Sequence, residues 1–184
     1  MTSTRSMFLA KIDPLSRKVD YTTPLDMNLE WKEKNWPPFE YIGADQKPTL
    51  FFEYQISPHK ILSLPDPRKN ELFNISLPRE SCYLPLSLPW EDKWGRIRGG
   101  TPALKIGEEY LAFFHSAFTE KNGFWWYIMG AYTFKAEPPF TVTGISKHPI
   151  LFQGIFETPV IHTADRNKRV SYPSGFVIEK REGK

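Results

Sequence analysis

The sequence predicts an all-β protein, a β-propeller of antiparallel four-strand blades, and three observations carry that expectation. A segment recurs: Trp36-Pro37-Pro38-Phe39-Glu40-Tyr41-Ile42-Gly43, then Gly100-Thr101-Pro102-Ala103-Leu104-Lys105-Ile106-Gly107, then Ser171-Tyr172-Pro173-Ser174-Gly175-Phe176-Val177-Ile178. After the first two copies comes a second matching run, residues 50–57 against residues 111–118. Helical periodicity is missing, and 17 Pro and 11 Gly with 15% aromatic residues describe short strands broken by turns. A self-similar unit of strand, turn and strand points to a radial array of small sheets, because one such sheet cannot bury both of its faces alone.

Along the chain, residues 8–12 form a short apolar strand closed by Asp13-Pro14, the outer strand of a sheet. Residues 16–31 have no clean period and are expected as a connecting arm. Four β-type runs follow at 39–42, 49–56, 60–64 and 73–77, with turn signals at Gly43-Ala44-Asp45, Ser57-Pro58 and Pro65-Asp66-Pro67. They make one blade, near residues 33–77. Residues 78–98, rich in Pro, Trp and Gly, read as a long loop between blades. A second meander occupies 101–106, 110–117, 125–134 and 140–145, near residues 99–146, with turns at Gly107-Glu108, Lys121-Asn122-Gly123 and Glu137-Pro138-Pro139. A third blade opens near residue 170. Residues 1–184 are thus expected as a single domain of about two and a half blades, incomplete beside the roughly 300 residues of a five-bladed propeller at ~50–65 per blade. Open blade faces predict self-association.

Charged residues make up 24% and the formal charge is +3, spread along the chain, which argues against a nucleic-acid footprint. One cysteine, Cys82, forms no intrachain disulfide and has no metal-ligand spacing, so a reducing, cytoplasmic setting is expected, with no metal and no cofactor. No signal peptide and no membrane-spanning run are read, and Asn74-Ile75-Ser76 is then an idle glycosylation acceptor.

Individual residues have two readings each. His115, on a strand between aromatics, is either a packing residue or a ligand, and His59 after Ser57-Pro58 is either a loop residue or one that lines the axis. Lys34 and Arg98 read on composition as solvated charges. Trp36, Trp90 and Trp94 are expected in loops, as carbohydrate platforms or anchors, and of Trp125, Trp126 and Tyr127 at least one is expected as core and another as a ring that could stack on a sugar. Glu33, Glu40 and Glu53 are the carboxylates on or beside inner strands, from which an acid and nucleophile pair could be drawn. Asp13, Asp66 and Asp165 lie by turns or prolines, where an Asp satisfies its own backbone.

Several motifs stand in a recognisable order: Arg98-Gly99-Gly100-Thr101-Pro102-Ala103, then Tyr110-Leu111-Ala112-Phe113-Phe114-His115, then Tyr127-Ile128-Met129-Gly130-Ala131, then the acidic-Pro turn and the run 138–151 ending in Pro149-Ile150-Leu151. With Glu33-Lys34-Asn35-Trp36 upstream and Val170-Ser171-Tyr172-Pro173-Ser174-Gly175 downstream, this order resembles the later blades of family 130 of the glycoside hydrolases. Those are five-bladed propellers, mostly phosphorylases of β-mannosidic linkages. The resemblance implies a glycosidase or glycoside phosphorylase acting on β-linked mannosides or related oligosaccharides, with an oligosaccharide or sugar phosphate as partner and inorganic phosphate as co-substrate. It implies phosphate or substrate binding by Lys34, Asn35, Arg98, His115 and Tyr127. The family's catalytic Asp, on an early blade, has no counterpart here, and Ser116 follows His115 where the family usually has Gly. The competing expectation is a non-catalytic or truncated propeller that binds carbohydrate or a protein partner.

Overall fold

The computed structural model describes residues 7–25, 34–66, 68, 73–74, 87–157, 159–164 and 167–179. The protein is mostly β, 50% strand and 4% helix, and its antiparallel sheets include one curled into half a barrel.

Strands β1 (Met7–Ile12) and β2 (Val19–Leu25) form an antiparallel hairpin with Met7 opposite Leu25 and Phe8 opposite Pro24. Asp13 makes its turn: the carboxylate accepts from Leu15 N at 2.9 Å, the carbonyl accepts from Arg17 N at 2.8 Å, and Arg17 takes a φ of 57°. The expected connecting arm is therefore partly a strand. Pro24 disguised it, since a proline inside a run is tolerated only where no ladder donor is needed.

The first expected run of strands is present as a four-stranded meander of β3 (Pro38–Ile42), β4 (Pro48–Ile56), β5 (His59–Leu64) and β6 (Phe73–Asn74), paired in that order. Side chains alternate between its two faces. Phe51, Glu53 and Ile61 look one way, while Phe52, Leu62 and Leu64 look the other and pack with Leu25 and Trp36 beneath the β1–β2 hairpin.

Within the expected inter-blade loop lies a helix, α1 (Ser87–Trp94). Eight residues with Pro89 in the first turn give little period to read, yet proline is tolerated there and Gly95 (φ 80°) ends the helix with its N–H donating to Glu91 O at 3.0 Å. Trp90 anchors it: 1% exposed, it donates from Nε1 to Ser116 Oγ at 3.0 Å.

The second sheet holds seven strands: β7 (Arg98–Gly99), β8 (Leu104–Ile106), β9 (Glu109–Thr119), β10 (Trp125–Lys135), β11 (Val142–Ile145), β12 (Ile161–His162) and β13 (Asn167–Val170). β9 and β10 pair without a break from Thr119↔Trp125 to Glu109↔Lys135. The expected third blade does not open as a separate sheet: β13 runs parallel to β10, with Lys168 opposite Trp125, and residues 171–179 form no strand. Phe140, expected to begin a strand, instead sits at a φ of 60° before β11.

One core joins the two sheets. Phe39 lies 5.0 Å from Tyr110, 5.5 Å from Phe134 and 5.4 Å from Phe140, ring centre to ring centre, in tilted or edge-to-face contacts. The layers are thus the hairpin, the first sheet and the second sheet, and the two repeats occupy separate, stacked sheets.

Candidate functional site

Where the two sheets meet, two adjacent glycines let other backbone pass at van der Waals distance. A Cβ on Gly99 would lie 2.6 Å from the Pro37 ring and 2.7 Å from Asn35 O, and one on Gly100 would lie 2.6 Å from Phe113 O and 2.8 Å from Pro173 Cγ. The stretch leading into β3, the strand β9 and the segment after β13 therefore converge on one point of the β7 end. Glu53 N donates to Pro37 O at 3.0 Å and pins the first of these stretches, and Asn35 turns with a φ of 59°.

This crossing leaves a pocket of about 90 Å³ whose wall carries Lys34, Asn35, Arg96 and Arg98, with Tyr54 and Gln55 from β4 beside them. Among the described residues, three cationic side chains line it and no carboxylate does. Arg96 and Arg98 both line the pocket, while Ile97 between them is buried in the core. Such convergence of donors favours an anion, above all one that takes paired N–H bonds from guanidinium groups.

His115 sits directly opposite Arg98 in the β7–β9 register and is 3% exposed. Its Nδ1 lies 2.9 Å from Gly99 O; a carbonyl only accepts, so Nδ1 carries the proton and donates. Burial pushes the imidazole down to about 4, against the opposing pull of that bond, and the positive charges of Arg98 and Lys34 lower it further. At neutral pH His115 is a neutral ring with its Nδ1–H committed to backbone, which fixes the Gly99 carbonyl and leaves Nε2 as an acceptor. Tyr127 stacks nearly parallel to it at 6.3 Å, and Tyr172 lies on it at 4.5 Å. Lys34, Asn35 and Arg98 thus share one pocket, and His115 and Tyr127 form the adjoining layer.

Arg96, Tyr54 and Tyr172 were not among the expected residues. Arg96 had a signal in its alternation with Arg98; Tyr172 had none, because its place depends on a chain crossing far from it in sequence.

Other expectations are corrected. Trp36 and Trp90 are 4% and 1% exposed, core anchors and no platform for a sugar, while Trp94 is half-buried against Trp90. Trp126 packs edge-on against Phe156 at 5.0 Å with the Arg169 guanidinium 5.9 Å from its ring centre. His59 is no loop residue: it begins β5 and is 4% exposed. Glu40 is exposed on β3, and Glu53 is 1% exposed, shut away from any substrate. Glu33, Cys82 and Asp165 lie outside the described residues, as does most of Asn74-Ile75-Ser76.

Among the described residues no group of three or more His, Cys, Asp or Glu is placed to hold a metal ion, and no helix is long and apolar enough to cross a membrane. No family model, no curated protein and no solved structure matches the chain.

Proposed function

We propose that this chain binds phosphate, free or carried on a sugar, in the pocket between its two sheets, as a glycoside phosphorylase-like protein acting on β-linked mannosides or related oligosaccharides. The observation that carries this reading is the convergence of Lys34, Asn35 and Arg98, joined by Arg96, on one small cavity. A cavity of about 90 Å³ exceeds several-fold the ~10–15 Å³ that one water needs on the same measure, so a phosphoryl group has room there. In phosphorolysis the phosphate oxygen is the nucleophile, and guanidinium and ammonium groups hold the dianion against the substrate while neutralising its charge.

The propeller is part of this proposal. Its support is the face-to-face stacking of the β1–β2 hairpin, the first meander and the second, in chain order. Exposed apolar residues, Phe8 and Ile12 on β1 and Val177 after β13, support the self-association that goes with open blade faces. The single Cys82 supports a reducing, cytoplasmic setting.

A second reading, binding without turnover, is favoured by one specific observation: glycoside cleavage needs an acid at the bond, and no carboxylate among the described residues lines this pocket. Phosphate uptake and release, followed with mannosyl phosphate and oligosaccharide acceptors, separates the two. Turnover that saturates with phosphate supports the phosphorylase. Saturable phosphate binding without turnover leaves the binding protein, and no binding at all removes both.

A further inference from the structure

Between the sheets, behind the pocket wall, three buried polar atoms have no protein hydrogen-bond partner: Glu53 Oε1, Ser57 Oγ and His59 Nε2. All three belong to the β4–β5 hairpin, and their residues are 1%, 7% and 4% exposed. Buried polar groups are almost always satisfied, by protein or by ordered water, so three orphans on one hairpin mark a place built to hold something polar.

What it holds follows from the direction of each neighbouring bond. Tyr132, from β10, donates its hydroxyl to Glu53 Oε2. That makes Oε2 the carbonyl-like acceptor and Oε1 the place for a proton. An ionised carboxylate here would be stranded, for among the described residues it has no cationic neighbour to offset its burial, and burial pushes its carboxyl well above the usual range. His59 makes a backbone hydrogen bond to Phe140, and since Nε2 has no partner this bond comes from Nδ1–H. Nε2 is then a lone-pair acceptor, and burial holds the ring neutral, down at about 4. A donor at Oε1 and an acceptor at Nε2 face the same side of the hairpin: Glu53 pairs with Ile61, two residues along from His59, and the His59 ring lies 6.3 Å from that of Tyr132. Such diagonal neighbours, with Cα atoms ~7–8 Å apart, are within reach of long side chains, and one water spans what remains.

We infer that Glu53, Ser57 and His59 form a buried water site, in which a neutral Glu53 donates through Oε1–H to one internal water and that water donates to His59 Nε2, with Ser57 Oγ completing its shell. The chain of bonds then runs from Tyr132 through Glu53, the water and His59 to the Phe140 backbone. It starts and ends on the second sheet and passes through the first, so it fastens the two together just behind residues 54–56 of the pocket wall. Its existence does not depend on what the pocket binds.

Two measurements on the full chain test it. Infrared spectroscopy at neutral pH is expected to show the carbonyl stretch of one protonated carboxylic acid, since exposed Asp and Glu are ionised there, and Glu53→Gln is expected to abolish that band while keeping the unfolding midpoint far closer to the natural chain's than Glu53→Ala does. Nuclear magnetic resonance is expected to show a long-lived water in contact with the His59 ring. Absence of the acid band, its survival in Glu53→Gln, a Glu53→Gln chain that does not fold, or a His59 ring with no bound-water contact would each overturn the site.

Discussion

Phe140→Ala is expected to destabilise the fold by about 3–5 kcal/mol, a large share of the ~5–15 kcal/mol that holds a domain together. Phe140 is fully buried, and its ring touches Phe39 at 5.4 Å, Tyr41 at 5.3 Å and Phe51 at 5.2 Å on the first sheet, and Phe134 at 6.3 Å on the second. Truncation opens a cavity where aromatic side chains of both sheets meet, and stiff neighbouring strands on both sides limit collapse. Urea unfolding measures the loss. A cost below about 1 kcal/mol, ordinary for a surface site, would show that the sheets are not joined through this ring.

Gly99→Ala is expected to remove anion binding and to cost about 1–3 kcal/mol of stability, the range for an overpacked site. The added methyl would meet the Pro37 ring at 2.6 Å and Asn35 O at 2.7 Å, and Glu53 N holds Pro37 O in place, so the stretch carrying Lys34 and Asn35 has to lift away from Arg98. Gly175→Ala serves as the control, because a Cβ there meets nothing within 4 Å. Calorimetric titration with phosphate reads both variants. Equal affinity in the two would mean that the close crossing at Gly99 does not shape the pocket.

The sheets were readable because alternation and turn chemistry agree: Gly107-Glu108 and Lys121-Asn122-Gly123 are turns, and the long apolar and aromatic runs between them pair as β9 and β10. What was lost was short or polar. α1 has eight residues, and β13 is Asn167–Val170, a polar segment whose strand character comes from its parallel partner β10 and from nothing local. Lys34, Asn35 and Arg98 were reached through motif order, whereas Arg96 reads as a solvated charge until the fold brings β4 beside it. Glu53 was legible as a carboxylate on an inner strand, but its burial was not drawn from the pattern. An acid inside Leu50-Phe51-Phe52-Glu53-Tyr54, on the same face as Phe51, had to point into the core, and a buried acid without a cation is a functional or structural device, not a surface charge.

Histidine titration of the full chain by nuclear magnetic resonance, with and without phosphate, tests the anion pocket most directly. Without phosphate the His115 ring is expected to titrate at about 4, well below its ordinary 6.5, so its burial contributes stability that is complete above pH 6.5 and is lost as the pH falls toward 4. A phosphate anion held between Lys34 and Arg98 offsets the two charges that depress it and attracts a proton to the ring, so the midpoint is expected to move upward. His59, shut between the sheets, is expected to stay where it is. An upward shift confined to His115 is the predicted result; a His115 midpoint unmoved by saturating phosphate would contradict an anion site at the joint of the two sheets.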